Sequence, residues 1–232
     1  MKRYFIVGAS SGVGQKLSEL LTQAGNETYG TYHTHNPENY PANVHFHQLD
    51  VMADTINTDF LPDTLDGLVY CPGSINLKPF ERISGDDFLK DYQLQVLGAV
   101  RILQVALPRL KKSPFASVVL FSTVAAQVGL TFHSQVSASK GAVEGLVKAL
   151  AAEYAPKIRI NAIAPSLTDT PLAASLLNND QKREANAQRH PLKKIGTPED
   201  IAHMAEFLLS EKSKWITGQI IHVDGGMSTL KI

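Results

Sequence analysis

Arg3-Tyr4-Phe5-Ile6-Val7-Gly8-Ala9-Ser10-Ser11-Gly12-Val13-Gly14 is the stretch whose reading decides the fold. Arg3–Val7 has the residue types of a short buried strand, and it stops at a glycine. Gly8, Gly12 and Gly14 then punctuate a turn that opens a helix in the Ser11–Val13 region. Glycines in a strand-turn-helix context allow a tight turn, close approach of the backbone to a pyrophosphate, and close packing of helix on strand. The N-terminus of the helix adds unpaired N–H groups and the positive end of a dipole. Gly8, Ser10, Ser11, Gly12, Val13 and Gly14 are therefore candidate phosphate-binding residues. Val13, Leu17, Leu20 and Leu21 fall on one face of the helix, and Gly25 offers its C-terminal cap.

Outward from this turn, short apolar runs alternate with stretches of helical period. Further strands are expected at Thr28–Tyr32, His45–Leu49, Gly67–Cys71, Ser117–Ser122, Arg159–Ala164 and Gln219–Val223. Ser84 with Asp87 reads as a capping box for a helix running towards Leu110. Thr197-Pro198-Glu199-Asp200 supplies an N-cap, a proline at the first helical position and two acids on the dipole. The alternation predicts one α/β domain over residues 1–232, a Rossmann-type doubly wound parallel sheet of about seven strands. The connection from Asp50 to Leu68 is short for a crossover helix, which is expected to shrink to a turn or two. His33–Asn43 and Thr168–Gly196 read as loose polar segments.

Composition narrows the partners. Lys plus Arg equals Asp plus Glu at 22 each, so there is no electrostatic footprint for nucleic acid or anionic lipid. No run approaches the roughly 20 apolar residues that span a bilayer, and no targeting segment precedes Arg3, so a cytoplasmic location is expected. The single cysteine, Cys71, fits a reducing compartment and reads as a small buried hydrophobe. His33, His35, His45 and His47 lack recognised zinc-ligand spacing, and no metal is expected.

The spacing Gly8-x-x-x-Gly12-x-Gly14 resembles that of the short-chain dehydrogenase/reductase family. So do Leu49-Asp50-Val51, Asn161 through Pro171, and the tail Trp215-Ile216-Thr217-Gly218-Gln219 through Val223-Asp224-Gly225-Gly226. The resemblance implies that Asp50 and Val51 lie by the adenine and that Pro165, Leu167, Thr168 and Thr170 belong to the loop around the nicotinamide. Gly73 is what remains of the family's Asn-Asn-Ala-Gly in Tyr70-Cys71-Pro72-Gly73. It further implies a substrate-orienting hydroxyl at Thr123, an amide at Gln95 and a ribose-holding lysine at Lys140. The family's proton-donating tyrosine, four residues before that lysine, is replaced by Val136. His133, seven residues before Lys140, is a candidate substitute acid, as is a water. Arg183, Arg189 and His190 carry no recognisable specificity pattern and could equally face solvent.

At the end of the second strand, Gly30-Thr31-Tyr32-His33-Thr34-His35 has no acid for a ribose 2′-hydroxyl, and His33 stands where NADP-using relatives carry arginine. NADP(H) is thus expected over NAD(H). The resemblance implies oxidoreduction of a small carbonyl, alcohol or enone, in a homodimer or homotetramer. The alternative is a non-catalytic NAD(P)-binding sensor or oligomeric scaffold, which the valine at 136 favours.

Overall fold

The computed structural model describes residues 1–34, 36–37 and 43–231; His35 and residues 38–42 of the histidine-rich loop lie outside the described residues. Strands β1 (Arg3–Val7), β2 (Glu27–Tyr32), β3 (Val44–Gln48), β4 (Gly67–Tyr70), β5 (Ala116–Phe121), β6 (Ile158–Pro165) and β7 (Ile220–Val223) occur where the sequence predicts them, within one or two residues. All pairings are parallel, in the order β3-β2-β1-β4-β5-β6-β7. The order reverses direction between β1 and β4, which opens a crevice at their carboxyl ends.

Helices α1 (Gly12–Gln23), α2 (Gly85–Tyr92), α3 (Gly98–Leu110), α4 (Ser134–Tyr154), α5 (Asp180–Gln188) and α6 (Pro198–Leu209) complete the fold. One sheet face buries Ile6, Val69 and Val119 against Leu17 and Leu21 of α1 and Ala205 and Leu208 of α6. The other buries Phe5, Leu68 and Leu120 against Ile102 and Ala106 of α3 and Val143 and Val147 of α4. Strand residues of alternating parity thus feed two cores, and two helical layers cover one sheet.

Gly8 and Gly12 take φ of +77° and +54° in the tight turn after β1. Gly14 faces a harder limit, because a Cβ there would fall well inside contact distance of the Gly8 carbonyl oxygen. This backbone cannot move away without breaking β1 from α1. Gly14→Ala is expected to destabilise the fold by about 2–3 kcal/mol, read as a shifted urea midpoint at unchanged m-value.

Two expectations are corrected. No helical turn forms between β3 and β4, where a turn or two was expected. Asp50 and Asn57 instead take the N–H groups two residues ahead, Met52 at 2.8 Å and Asp59 at 2.8 Å, and Pro62 blocks a helix. Leu61 and Leu65 still close the core, and Phe60 stacks on His47 at 4.0 Å between centroids. Thr168–Gly196 is not a loose segment: a parallel bridge joins its ends, Thr168 to Gly196, and it carries the 3-10 turns Pro171–Leu176 and helix α5. The helix opened by the Ser84–Asp87 capping box does run on to Leu110, with Gln93–Leu97 as a π-helical turn between its segments α2 and α3.

Candidate active site

The crevice between β1 and β4 widens into a cavity of about 560 Å³ along the carboxyl edge of the sheet. Gly8, Ser10, Ser11, Gly12, Val13 and Gly14 line one end. The turn is tied to β2 through Gly8 N–H to Thr31 Oγ1 (3.1 Å) and Ala9 N–H to the Thr31 carbonyl (2.8 Å). Ser11 caps α1 with no side-chain bond, and no acid occupies the first turn. The leading amides of the helix are thereby left to an anion. Thr170 of the loop after β6 folds back to this turn, its Cβ 3.4 Å from where a Cβ of Gly12 would lie.

At the other end, Thr123 leaves β5 in extended conformation, with Oγ1 accepting from Ala125 N–H at 3.3 Å. Its neighbour Ser122 donates to Glu144 at 2.6 Å, which pins the end of β5 to α4. Val136 and Lys140 project from α4 into the cavity one turn apart, both almost fully buried. Burial pushes the Lys140 ammonium down to about 8, against the opposing pull of the Asp91 carboxylate. Among the described residues that ammonium makes no hydrogen bond, and the described lining of the cavity includes no tyrosine.

Beneath Lys140 lies a polar floor that sequence reading missed. Asp91 is 4% exposed and accepts from Ser139 Oγ at 2.6 Å, from Gln95 Nε2 at 2.8 Å and from Ser74 Oγ. Gln95 keeps a buried Oε1 with no partner. A Cβ on Gly73 would sit 3.5 Å from that oxygen and 4.0 Å from Lys140 Nζ, so the glycine leaves both groups open. The π turn explains this arrangement. The Leu94 carbonyl bonds to the Tyr70 hydroxyl, at 2.5 Å, and Gly98 makes room for that ring. Tyr70, in the altered Tyr-Cys-Pro-Gly segment, thereby holds the helix that carries Asp91 and Gln95. Cys71 beside it is no thiolate, since burial raises its pKa to about 12.

Pro165, Leu167, Thr168 and Thr170 also line the cavity, as do Gly73, Gln95, His33 and His133. His33 stands exposed, with Nε2 4.0 Å from Asp50 Oδ2. Asp50 and Val51 do not line the cavity; Asp50 is exposed and Val51 is packed in the core. His133 caps α4 rather than lying within it, and its half-buried ring gives Nδ1 to the Thr131 carbonyl at 2.7 Å. His190 does not face solvent. It is 3% exposed, lines the cavity, and holds Ser166 Oγ at 2.8 Å. Arg183 forms a two-pronged ion pair with Asp169 (2.6 and 3.1 Å) on the outer surface of the same loop.

The family described as Enoyl-(Acyl carrier protein) reductase matches residues 8–228, a span that begins at the glycine turn and includes every cavity residue named above. The chain belongs to the short-chain dehydrogenase/reductase family. A tropinone reductase homolog of Arabidopsis thaliana is 34% identical over 178 residues, 76% of this chain and 58% of that protein, so the match spans little more than half of the relative's length. A 3-oxoacyl-(acyl-carrier-protein) reductase of Aquifex aeolicus is 28% identical over 238 residues, 96% of this chain and 95% of its own length. Among solved structures, ligand-free aldohexose dehydrogenase of Thermoplasma acidophilum superposes with a TM-score of 0.88 at 28% identity, covering 99% of this short-chain dehydrogenase/reductase and 95% of the other chain. ElxO with NADP bound gives 0.88 at 26% identity and 99% of both chains.

Members of the family are oxidoreductases that bind nicotinamide cofactors. The residues of this short-chain dehydrogenase/reductase fit such a group: uncapped amides for phosphates, an unpartnered ammonium for ribose, and an open glycine face between them. Among the described residues no helix is long and apolar enough to cross a membrane.

Proposed function

We propose that the chain is an NADP(H)-dependent oxidoreductase of a small carbonyl, alcohol or enone, working through a site in which Val136 replaces the family's tyrosine. The single observation that carries this reading is the continuous cavity joining the open amides of α1 to the Lys140 ammonium and the Thr123 hydroxyl. When bound, the cofactor supplies or accepts hydride. Gly8, Ser10, Ser11, Gly12, Val13 and Gly14 would hold its pyrophosphate, and Lys140 its ribose. Pro165, Leu167, Thr168 and Thr170 would enclose the nicotinamide. Asp50 and Val51 border the adenine end from outside the cavity lining. Thr123 orients the reacting oxygen, and Gln95 with Asp91 positions Lys140. The exposed ring of His33 at the cavity mouth is the group for a 2′-phosphate, in keeping with a neighbour of similar fold that holds NADP. The family is described as an enoyl reductase and one relative is named a 3-oxoacyl reductase, which supports reduction of an enone or a carbonyl.

Assembly as a homodimer or homotetramer is part of this reading. Leu89, Tyr92 and Leu97 stand exposed along the α2–α3 segment, and Gly141 and Gly145 leave an open strip on α4. A cytoplasmic location goes with it.

Val136 is also what favours the second reading, a binding protein without turnover. Titration of NADPH and NADH into the protein, followed by a panel of ketones, aldehydes and enones with Val136→Tyr alongside, separates the two. We expect NADPH to bind at least tenfold more tightly than NADH, wild-type turnover above background, and a gain of tenfold or more in Val136→Tyr. Tighter NADH binding overturns the cofactor assignment. Tight NADPH binding with silent wild type overturns the enzyme.

A further inference from the structure

Ser166 and His190 form a hydrogen-bonded pair inside the cavity that the reading above does not use. Ser166 is the first residue beyond β6 (Ile158–Pro165), and Thr123 is two residues beyond β5 (Ala116–Phe121). The register pairs Phe121 with Ile163, and Ser122 N–H donates to the Ile163 carbonyl at 2.8 Å. Neighbouring strands lie roughly 4.8 Å apart, so the two residues leave the sheet at its carboxyl edge from adjacent strands. Both line the cavity together with Lys140 and Val136.

The bonding pattern fixes the chemistry of the pair. His190 Nδ1 lies 2.9 Å from the Asn186 carbonyl, which can only accept, so Nδ1 carries a proton in either charge state. In the neutral ring Nε2 is therefore a lone pair, and Ser166 Oγ, 2.8 Å away, donates to it. In the imidazolium Nε2–H donates to Ser166, whose own proton is released towards the cavity. Among the described residues only the weakly accepting Met227 Sδ, at 3.0 Å, competes for it. A hydroxyl in contact with a ring whose other nitrogen is oriented by a third group is the arrangement of an acid–base relay.

We propose that Ser166 delivers the proton to the substrate oxygen in place of the absent tyrosine, with His190 recharging it; this rests on the oxidoreductase reading above. In carbonyl reduction, as hydride from the reduced nicotinamide reaches the carbonyl carbon, the C=O π pair passes to oxygen. That oxygen takes the Ser166 hydroxyl proton, and Ser166 takes the Nε2 proton of the imidazolium. The ring is left neutral with Nδ1–H on Asn186 and regains a proton from water. Carbonyl, reduced cofactor and one proton give alcohol and oxidised cofactor. Ser166 is the catalytic residue, and His190 is a positioning residue that acts through it.

The test combines activity with a spectroscopic reading that needs no substrate. In 15N-labelled protein the neutral His190 ring should be the Nδ1–H tautomer, and Ser166→Ala should move the Nε2 resonance while the fold is retained. Ser166→Ala and His190→Gln should each lower kcat at least a hundredfold on the best carbonyl of the panel. KM and NADPH affinity should stay within about threefold, and Ser166→Thr should recover part of kcat. An Nε2–H tautomer, or turnover that survives both substitutions, overturns the proposal alone. If His133→Gln abolishes turnover while both of these variants keep it, the proton comes from His133 and the proposal fails. A wild type that binds NADPH and reduces no member of the panel overturns the oxidoreductase reading and this proposal with it.

Discussion

Asp91→Ala is expected to lower stability by on the order of 3–5 kcal/mol and to abolish any tight hold on the cofactor. The carboxylate is buried and accepts from three side chains, Ser74, Gln95 and Ser139, besides facing the Lys140 ammonium. Its removal strands three donors away from water and leaves a buried cation without its counter-charge, which is the costly way to break such a set. The loss should appear as a lower urea midpoint, and as weaker NADPH fluorescence enhancement in whatever fraction stays folded. A midpoint within 1 kcal/mol of wild type would mean that water replaces the carboxylate and that the floor is not closed.

Lys140→Met should do the opposite to stability while removing function. The ammonium is buried with its pKa held down to about 8 from 10.5, because burial opposes the charge more than Asp91 supports it. That depression corresponds to roughly 3 kcal/mol against the protonated form in the folded state. A folded chain with the lower pKa releases its proton first, so between about pH 8 and 10.5 the unfolded chain holds more protons and wild-type stability rises with pH. A methionine of similar length avoids the penalty, and the buried Asp91 carboxylate, unlike the ammonium, keeps three hydrogen-bond partners of its own in Ser74, Gln95 and Ser139. At pH 7 the variant should therefore melt several degrees higher, with the gap closing as pH climbs towards 10.5. NADPH affinity should fall about tenfold or more. The double variant with Asp91→Ala should lose less stability than Asp91→Ala alone, and that difference measures the coupling between the two charges. A melting point lower than wild type at pH 7 would show that the lysine is worth more to the fold than its burial takes away.

The fold was legible because its signals are local. Gly8, Gly12 and Gly14 sit where strand, turn and helix demand them, and Thr197-Pro198 and Ser84 with Asp87 form the predicted caps. The glycine turn at one end of the cavity was legible for the same reason. The path between β3 and β4 was not, because its Leu61 and Leu65 show the apolar content of a helix while Asp50, Asn57 and Pro62 divert the backbone. Asp91 gave no signal, since an aspartate in a helix is by default a solvated one. Its burial follows from Ser139 and Ser74, 48 and 17 residues away in sequence. His190 hid in a polar segment for a similar reason, its partner Ser166 being 24 residues distant. Pairings across elements set these roles, and spacing within one element carries no trace of them.

The π turn at Gln93–Leu97 gives this site an arithmetic of its own. Such a turn is one residue longer than the α-helical turn it interrupts, and one residue of helix corresponds to about 100° of rotation. Shortening the chain by a single position within it other than Gln95 would swing α2 around its axis by that angle and point Asp91 away from Lys140, with every side chain of the polar floor still present in the sequence. At this place the chemistry depends on how many residues the chain has as much as on which ones they are, so a one-residue deletion here would be a larger event than most substitutions.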